Sequence, residues 1–352
     1  MKALLLVAAA LLAGCADTGP VRGTLRYGLD DAPEGKRLLW PAAPEVPRFL
    51  YAGTLTGEPN FRQPGTESGW RRFGRWVAGL DGAGVPPVVL QRPAMLTGDE
   101  AGRLFVSDSS RQAVFVFDEP GGALAVWDRA DATRNFVAPS GLAAAGGRLY
   151  VADAELGAVF VLGADGTPER SLGTGLLQRP TGLARDAASG ALFVADTYAH
   201  DIKVFADDGR LLRTLGRRGE GEGEFNFPTH LAFAAGELYV TDTMNNRVQV
   251  LDPASGQPRR RLGTRGLYVG NLVRPKGVGV DAEGNVYVVE SYYDSLLVFA
   301  RDGEFLLPIG GTGTATGRFY LPAGVWVDAK NRVHVADMFN GRIVLFQFLG
   351  GG

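Results

Sequence analysis

The sequence predicts an all-β fold, a six-bladed β-propeller with four-stranded blades whose ring is closed by an N-terminal strand. Two recurring series and one incomplete unit predict it. Prolines that open apolar runs stand at Pro93, Pro139, Pro180, Pro228, Pro275 and Pro322, and subtraction gives intervals of 46, 41, 48, 47 and 47 residues. An acidic residue ends a β-rich run after each of these prolines: Asp108, Asp153, Asp196, Asp242, Glu290 and Asp337. Repeats of about 40–50 residues with four strand-length runs each describe propeller blades. The last repeat stops at LGGG, one strand short.

Each blade can be read from residues 228–263. LAFA, ELYVTD and RVQVLD are strand-length, rich in β-branched and aromatic residues, and separated by Gly, Asn, Asp and Pro. A fourth run, ending Arg261-Leu262-Gly263, leads to the next proline. The fourth strand missing after Phe348 is supplied by RFLYAGTLTGEPNF, residues 48–61, which is similar to the fourth strands and outgoing loops at 209–227 and 303–321. An open ring would leave strand edges unpaired, which gives closure a physical reason.

The repeated Pro-x-Gly, aromatic-Val-Ala-Asp and Asn-Arg-apolar motif resembles the NHL repeat, most plainly in units three to six. The resemblance spans roughly residues 48–348 and is specific for fold. It is far less specific for function, since such propellers include RNA binders, protein-interaction platforms and a few enzymes.

Met1-Lys2, the run ALLLVAAALLAG and Cys15 read as an export signal over residues 1–14, too short to span a bilayer as a helix. Leu12-Ala13-Gly14-Cys15 matches the bacterial lipobox, so Cys15 is the expected lipidation site and membrane attachment point. The alternative is an ordinary signal peptide with an incidental cysteine. Cys15 is the one cysteine of the chain, which suits an oxidising compartment. With the repeats, this N-terminus resembles the bacterial NHL-repeat lipoproteins, and Ala16 after the cysteine points to an outer-membrane location facing the periplasm. Residues 15–47 hold five prolines and no sustained period, the composition of a tether, with ordered contact expected at its C-terminal end only.

The propeller is assigned to 48–348, with an irregular insertion at 62–92. Within it GWRRFGRWVAGL, residues 69–80, reads as a short helix, either packed on the propeller or offering Trp70 and Trp76 among arginines to a partner or lipid interface. A hydrophobic content of 45% suffices for a core, and 50 glycines serve the turns. The net charge of −2 and a sequence pI near 6.0 argue against a nucleic-acid partner. The arginines at 259–261 with Arg217, Arg218 and Arg265 form a local basic cluster that a solvated face explains.

Alternating strand directions put the loops between second and third strands on one face with the links between blades. That face carries the longer loops 217–226, 264–273 and 311–320 and is the candidate binding face. Tyr198, Met244, Tyr292, Tyr293 and Phe339, with Asn245, Asn246 and Arg247, follow the acidic series there. They form either a recognition surface or a cover over neighbouring blades. The acidic series itself reads as turn capping, because it occurs in all six units.

Positions that break the repeat are the more informative ones. Two residues after each proline stand Met95, Gly141, Gly182, His230, Gly277 and Gly324, so Met95 and His230 replace the glycine on opposite sides of the ring. His230 at the channel mouth is a candidate ligand, metal or base position, or a space-filling histidine. Lys276 stands where other units have Ser140, Thr181 or Thr229, adding positive charge there. Only three histidines are present; His334 replaces a core aromatic and His200 sits in an outer loop, so the His-rich zinc site of the amidating lyases is not expected, and no metal or cofactor is assigned. The expected function is a lipid-anchored, non-catalytic binding or scaffold module for a protein or envelope ligand, the rival being a channel-mouth lyase, hydrolase or metal binder using His230.

Overall fold

The structure, a computed structural model, describes residues 20–28, 37–61 and 86–350. Six antiparallel sheets follow one another along the chain, and each begins with the strand nearest the central channel. These inner strands are Pro93–Gly98, Pro139–Ala145, Pro180–Arg185, Pro228–Ala234, Pro275–Val280 and Val325–Val327, defining blades 1 to 6. All but the last begin on the repeated proline, whose missing N–H costs a strand least at its first residue. No helix among the described residues is long and apolar enough to cross a membrane.

Blade 6 closes the ring as expected. Strand Phe49–Leu55 pairs antiparallel with Arg342–Phe348, matching Leu55 to Ile343, Thr54 to Val344 and Phe49 to Phe348. The register shifts between Leu345 and Phe346, next to Gly53. Gly53 has φ +135°, and a Cβ there would come within 2.6 Å of the Tyr27 side chain. Glycine is required on both counts.

The apolar core is divided into six clusters, one at each interface between blades. Phe105, Phe136 and Phe160 fill the interface of blades 1 and 2, for example, and Phe49, Tyr287 and Phe346 that of blades 5 and 6. Clusters at the remaining interfaces complete the ring. Burying one such side chain is worth about 1.5–3 kcal/mol, so stability is spread over the interfaces.

The N-terminal segment differs from the expected tether. Val21–Arg22 adds a fifth strand to the outer edge of blade 1, opposite Ala123 and Leu124, and Leu39–Trp40 does the same for blade 6. Ordered contact therefore reaches well upstream of the expected C-terminal end, because the open edges of these two blades offer unpaired N–H and C=O groups. Cys15, the export signal and the expected helix at 69–80 lie outside the described residues.

The acidic series has a purpose beyond its own turns. Each carboxylate is fully buried and accepts backbone N–H groups from the link entering its own blade. Asp108 takes those of Gln91 and Arg92, Asp196 those of Gln178 and Arg179, and Glu290 those of Val273 and Arg274. Asp108 and Asp153 also cap their own turns, through Ser110 and Arg111 and through Glu155 and Leu156. Charge-assisted bonds of this kind fasten each outgoing link to the middle of the next sheet.

Candidate functional site

The glycines after the opening prolines sit where neighbouring inner strands converge. A Cβ on Gly141 would lie 2.3 Å from the Thr181 carbonyl, on Gly182 2.6 Å from that of Thr229, and on Gly324 2.5 Å from that of Ala94. Blades approach too closely there for any side chain. Met95 and His230 resolve the crowding differently. Met95 is 5% exposed and packs with Phe105, Val114 and Leu142 in the interface of blades 1 and 2. This corrects its assignment to the candidate site: its flexible thioether fills a gap in the core.

His230 stays partly open to solvent. Its Nδ1 lies 2.9 Å from Thr229 Oγ1. Thr229 Oγ1 is in turn 2.7 Å from Thr243 Oγ1, which donates to the Pro275 carbonyl at 2.9 Å. Three contacts and three protons fix the directions, because the carbonyl can only accept: Thr243 donates to it, Thr229 to Thr243, and His230 Nδ1–H to Thr229. Neutral His230 therefore presents Nε2 as an acceptor. Burial first, and then the charge of Lys276, push its pKa down to about 3, so the neutral ring prevails at pH 7.

Lys276 interrupts a hydroxyl series. Ser140 Oγ donates to the Pro180 carbonyl and Thr181 Oγ1 to that of Thr229, each tying an inner strand to the next. Lys276 takes the equivalent place in blade 5. Among the described residues its ammonium has no hydrogen bond or ion pair, and burial followed by the charge of Arg274 lowers its pKa.

Around this mouth lies the candidate face. Of the fourteen large apolar side chains exposed among the described residues, ten lie on it: Val137, Leu176, Tyr198, Met244, Leu267, Tyr268, Val269, Tyr292, Tyr320 and Phe339. Tyr268 is 83% exposed. The aromatics both cover neighbours and remain accessible. Tyr198 packs edge-on against Phe227 and under Arg179, Tyr292 against Tyr293, and Phe339 against Tyr320. Tyr293 is half-buried, its hydroxyl 3.3 Å from the Leu267 carbonyl. Tyr268, the most exposed of these rings, was missed in the sequence; the run Leu267-Tyr268-Val269 between Gly266 and Gly270 is the signal that marks it.

The polar residues expected beside the aromatics face inward. Asn245 bonds Asp242 and the Gly219 carbonyl, Asn246 the Val273 carbonyl, and Arg247 both Asp242 and the carbonyls of Gly221 and Glu224. They brace the link, and the side chains left exposed beside them are the apolar ones. The three long links also share one form, each closed by a parallel bridge: Arg218 to Phe225, Arg265 to Leu272 and Thr312 to Phe319. Phe225, Leu272 and Phe319 are fully buried plugs, so variation is confined to the tips.

The basic cluster is split. Arg260 forms a two-pronged pair with Glu237, both contacts 2.7 Å, with Arg259 at 3.4 Å and Arg301 at 3.5 Å. This group holds the far face of blade 4. Arg261 and Arg265 instead border a shallow hollow of about 290 Å³ with Met244 on the candidate face.

A hollow of about 950 Å³ opens on the opposite face between blades 1 and 6. Tyr27 and Trp326 border it, with the chain His334–Asp328–Arg332–Tyr27–Glu119. His334 is buried, as its core position requires, and it replaces the tyrosines that bond acids in other blades, such as Tyr287 to Asp281. Burial opposes the charge of Asp328, yet the bonds from His334 and Arg332 hold its carboxyl well below the usual range. No three His, Cys, Asp or Glu side chains among the described residues are grouped to hold a metal ion.

Comparison with known proteins agrees with this architecture. A family model described as "6-bladed beta-propeller" matches residues 186–262. "Protein brain tumor" of Drosophila melanogaster is 29% identical over 139 residues, 39% of this chain and 13% of that protein. Human "NHL repeat-containing protein 2" is 37% identical over 87 residues, 22% of this chain and 12% of that protein. The chain is a six-bladed β-propeller with NHL-repeat proteins among its relatives. It spans only a small fraction of the length of these relatives. Virginiamycin B lyase from Staphylococcus aureus has the same fold, with TM-score 0.55, 12% identity, and coverage of 74% of this chain and 96% of that one. At that identity the likeness concerns fold alone.

Proposed function

We propose that this NHL-type propeller is a lipid-anchored, exported binding or scaffold module that holds a protein or another envelope component on its blade-link face. The observation that carries the reading is the concentration of exposed apolar side chains, ten of fourteen among the described residues, on that one face. Aromatics, methionine and arginine around an apolar centre are the composition of interaction surfaces, and contiguous exposed apolar groups mark binding sites. Attachment through Cys15 rests on the lipobox and export signal, and the outer-membrane placement on Ala16. The reading contains no catalytic step.

A photoreactive amino acid placed at Tyr198 or Tyr292 in cells supplies the test. One recurring crosslinked species from both positions is expected, with none from a control position on the opposite face such as Lys330. Equal or absent crosslinking at the two faces overturns the reading. Metabolic labelling with a fatty-acid analogue, lost on Cys15→Ser, tests the anchor.

A further inference from the structure

Lys276 and His230 occupy consecutive blades at the mouth of the channel, and both break a pattern the other blades keep. The hydroxyl that would tie blade 5 to blade 6 is replaced by an ammonium without a partner among the described residues. The glycine expected in blade 4 is replaced by an imidazole whose Nδ1 is committed to Thr229 and whose Nε2 is not. Exposed Arg274, just before blade 5, also makes no ion pair among the described residues. The neighbouring acid, Glu290, is buried and engaged by the backbone N–H groups of Val273, Arg274 and Tyr292. The mouth between blades 4 and 5 thus carries a half-buried positive charge with no carboxylate aimed at it, which is unfavourable until an anion arrives.

The acceptor at His230 adds a second requirement. An oxyanion without a proton would meet the Nε2 lone pair and be repelled by it. One that also carries an O–H would donate there while its charged oxygens accept from Lys276 and Arg274.

We propose that Lys276, Arg274 and His230 form a binding site for a singly protonated oxyanion of the hydrogenphosphate or phosphate-monoester class. Lys276 and Arg274 supply the charge, and His230 Nε2 selects for the proton. The proposal is independent of the partner on the surrounding face, so failure of either test leaves the other standing.

The probes are inorganic phosphate and sulfate at pH 6.5, with the full chain observed by calorimetry and by the ¹⁵N resonances of His230. Saturable phosphate binding is expected, with sulfate at least tenfold weaker because it brings no proton. Lys276→Thr restores the residue of blades 3 and 4 and should fold; it is expected to weaken phosphate at least tenfold. His230→Gly, the residue of four other blades, is expected to erase the preference for phosphate while retaining residual binding of both anions. Glucose 6-phosphate and vesicles containing phosphatidic acid separate a soluble ester from a lipid headgroup: competition by either identifies the source. Absence of saturable phosphate binding, equal binding of sulfate, or unchanged binding in Lys276→Thr overturns the proposal.

Discussion

The Nδ1 atom of His200 accepts the backbone N–H of Phe227 at 3.2 Å, so that a turn of blade 3 holds the link into blade 4. The same position recurs around the ring. Gln112, His200, Asn246 and Asp294 all adopt the left-handed conformation, with φ between 52° and 58°, and each reaches the link into the following blade. Gln112 bonds the Val137 carbonyl, Asn246 that of Val273, and Asp294 the N–H of Leu321. Gly157 and Gly341 occupy the position in the other two blades. Replacing His200 with Ala leaves the Phe227 N–H without its acceptor and should cost about 1–3 kcal/mol. Urea unfolding measures it, with an unchanged m-value as the sign that the fold is retained.

Closure of the ring gives a larger effect. Leu55 is buried opposite Ile343 in the closing strand. Leu55→Ala should destabilise by about 2–5 kcal/mol, as expected for a core leucine. Removing residues 48–61 should abolish cooperative unfolding altogether, because blade 6 would lose its fourth strand. Circular dichroism melts and limited proteolysis read both.

Glu237 should make the acid limb of stability steeper. The Arg260 pair foremost holds its pKa down to about 2, against the ordinary 4.5. A depressed carboxyl contributes stability that is fully present above the unfolded value and is lost as pH falls through the folded one. Glu237→Gln should therefore be less stable than the wild type at pH 7, with the difference closing between about pH 4.5 and pH 2.

His230 has the same sign for a different reason. Its folded pKa near 3 lies below the ordinary 6.5 because burial and Lys276 oppose the imidazolium. The wild type should lose stability relative to His230→Gly as pH falls from 6.5 toward 3, since only the wild type must keep a half-buried ring neutral. Denaturant midpoints of the two proteins across that window check it.

Tyr268 separates binding from stability. Its ring is exposed at a loop tip, so Tyr268→Ser should change stability by no more than about 0.5 kcal/mol. If the blade-link face binds the partner, the same substitution should reduce crosslinking from Tyr292 several-fold.

Blade number, strand order and the closing strand were legible in the sequence because a repeat writes the same constraints six times. The proline opens each strand, the acid fastens each link, and the glycine permits convergence, so periodicity alone exposes them. The same comparison marked His230 and Lys276 as departures. It could not separate Met95 from His230, since both merely replace glycine. Only packing shows that one side chain turns into a blade interface and the other stays partly open to solvent.

Position along the chain likewise cannot tell which side chains share a space. Asn245, Asn246 and Arg247 look like surface residues in the sequence, but the link folds back over them and uses their donors. Tyr27 and Arg332 are 305 residues apart and meet beside a hollow because the N-terminal segment returns along the outer edges of blades 1 and 6. The sequence by itself determined the ring, since local strand patterning and repeat length dictate it. The tertiary structure decided which exceptional residues remain without a partner, because that depends on hydrogen-bond closure across blades, a property of no single repeat.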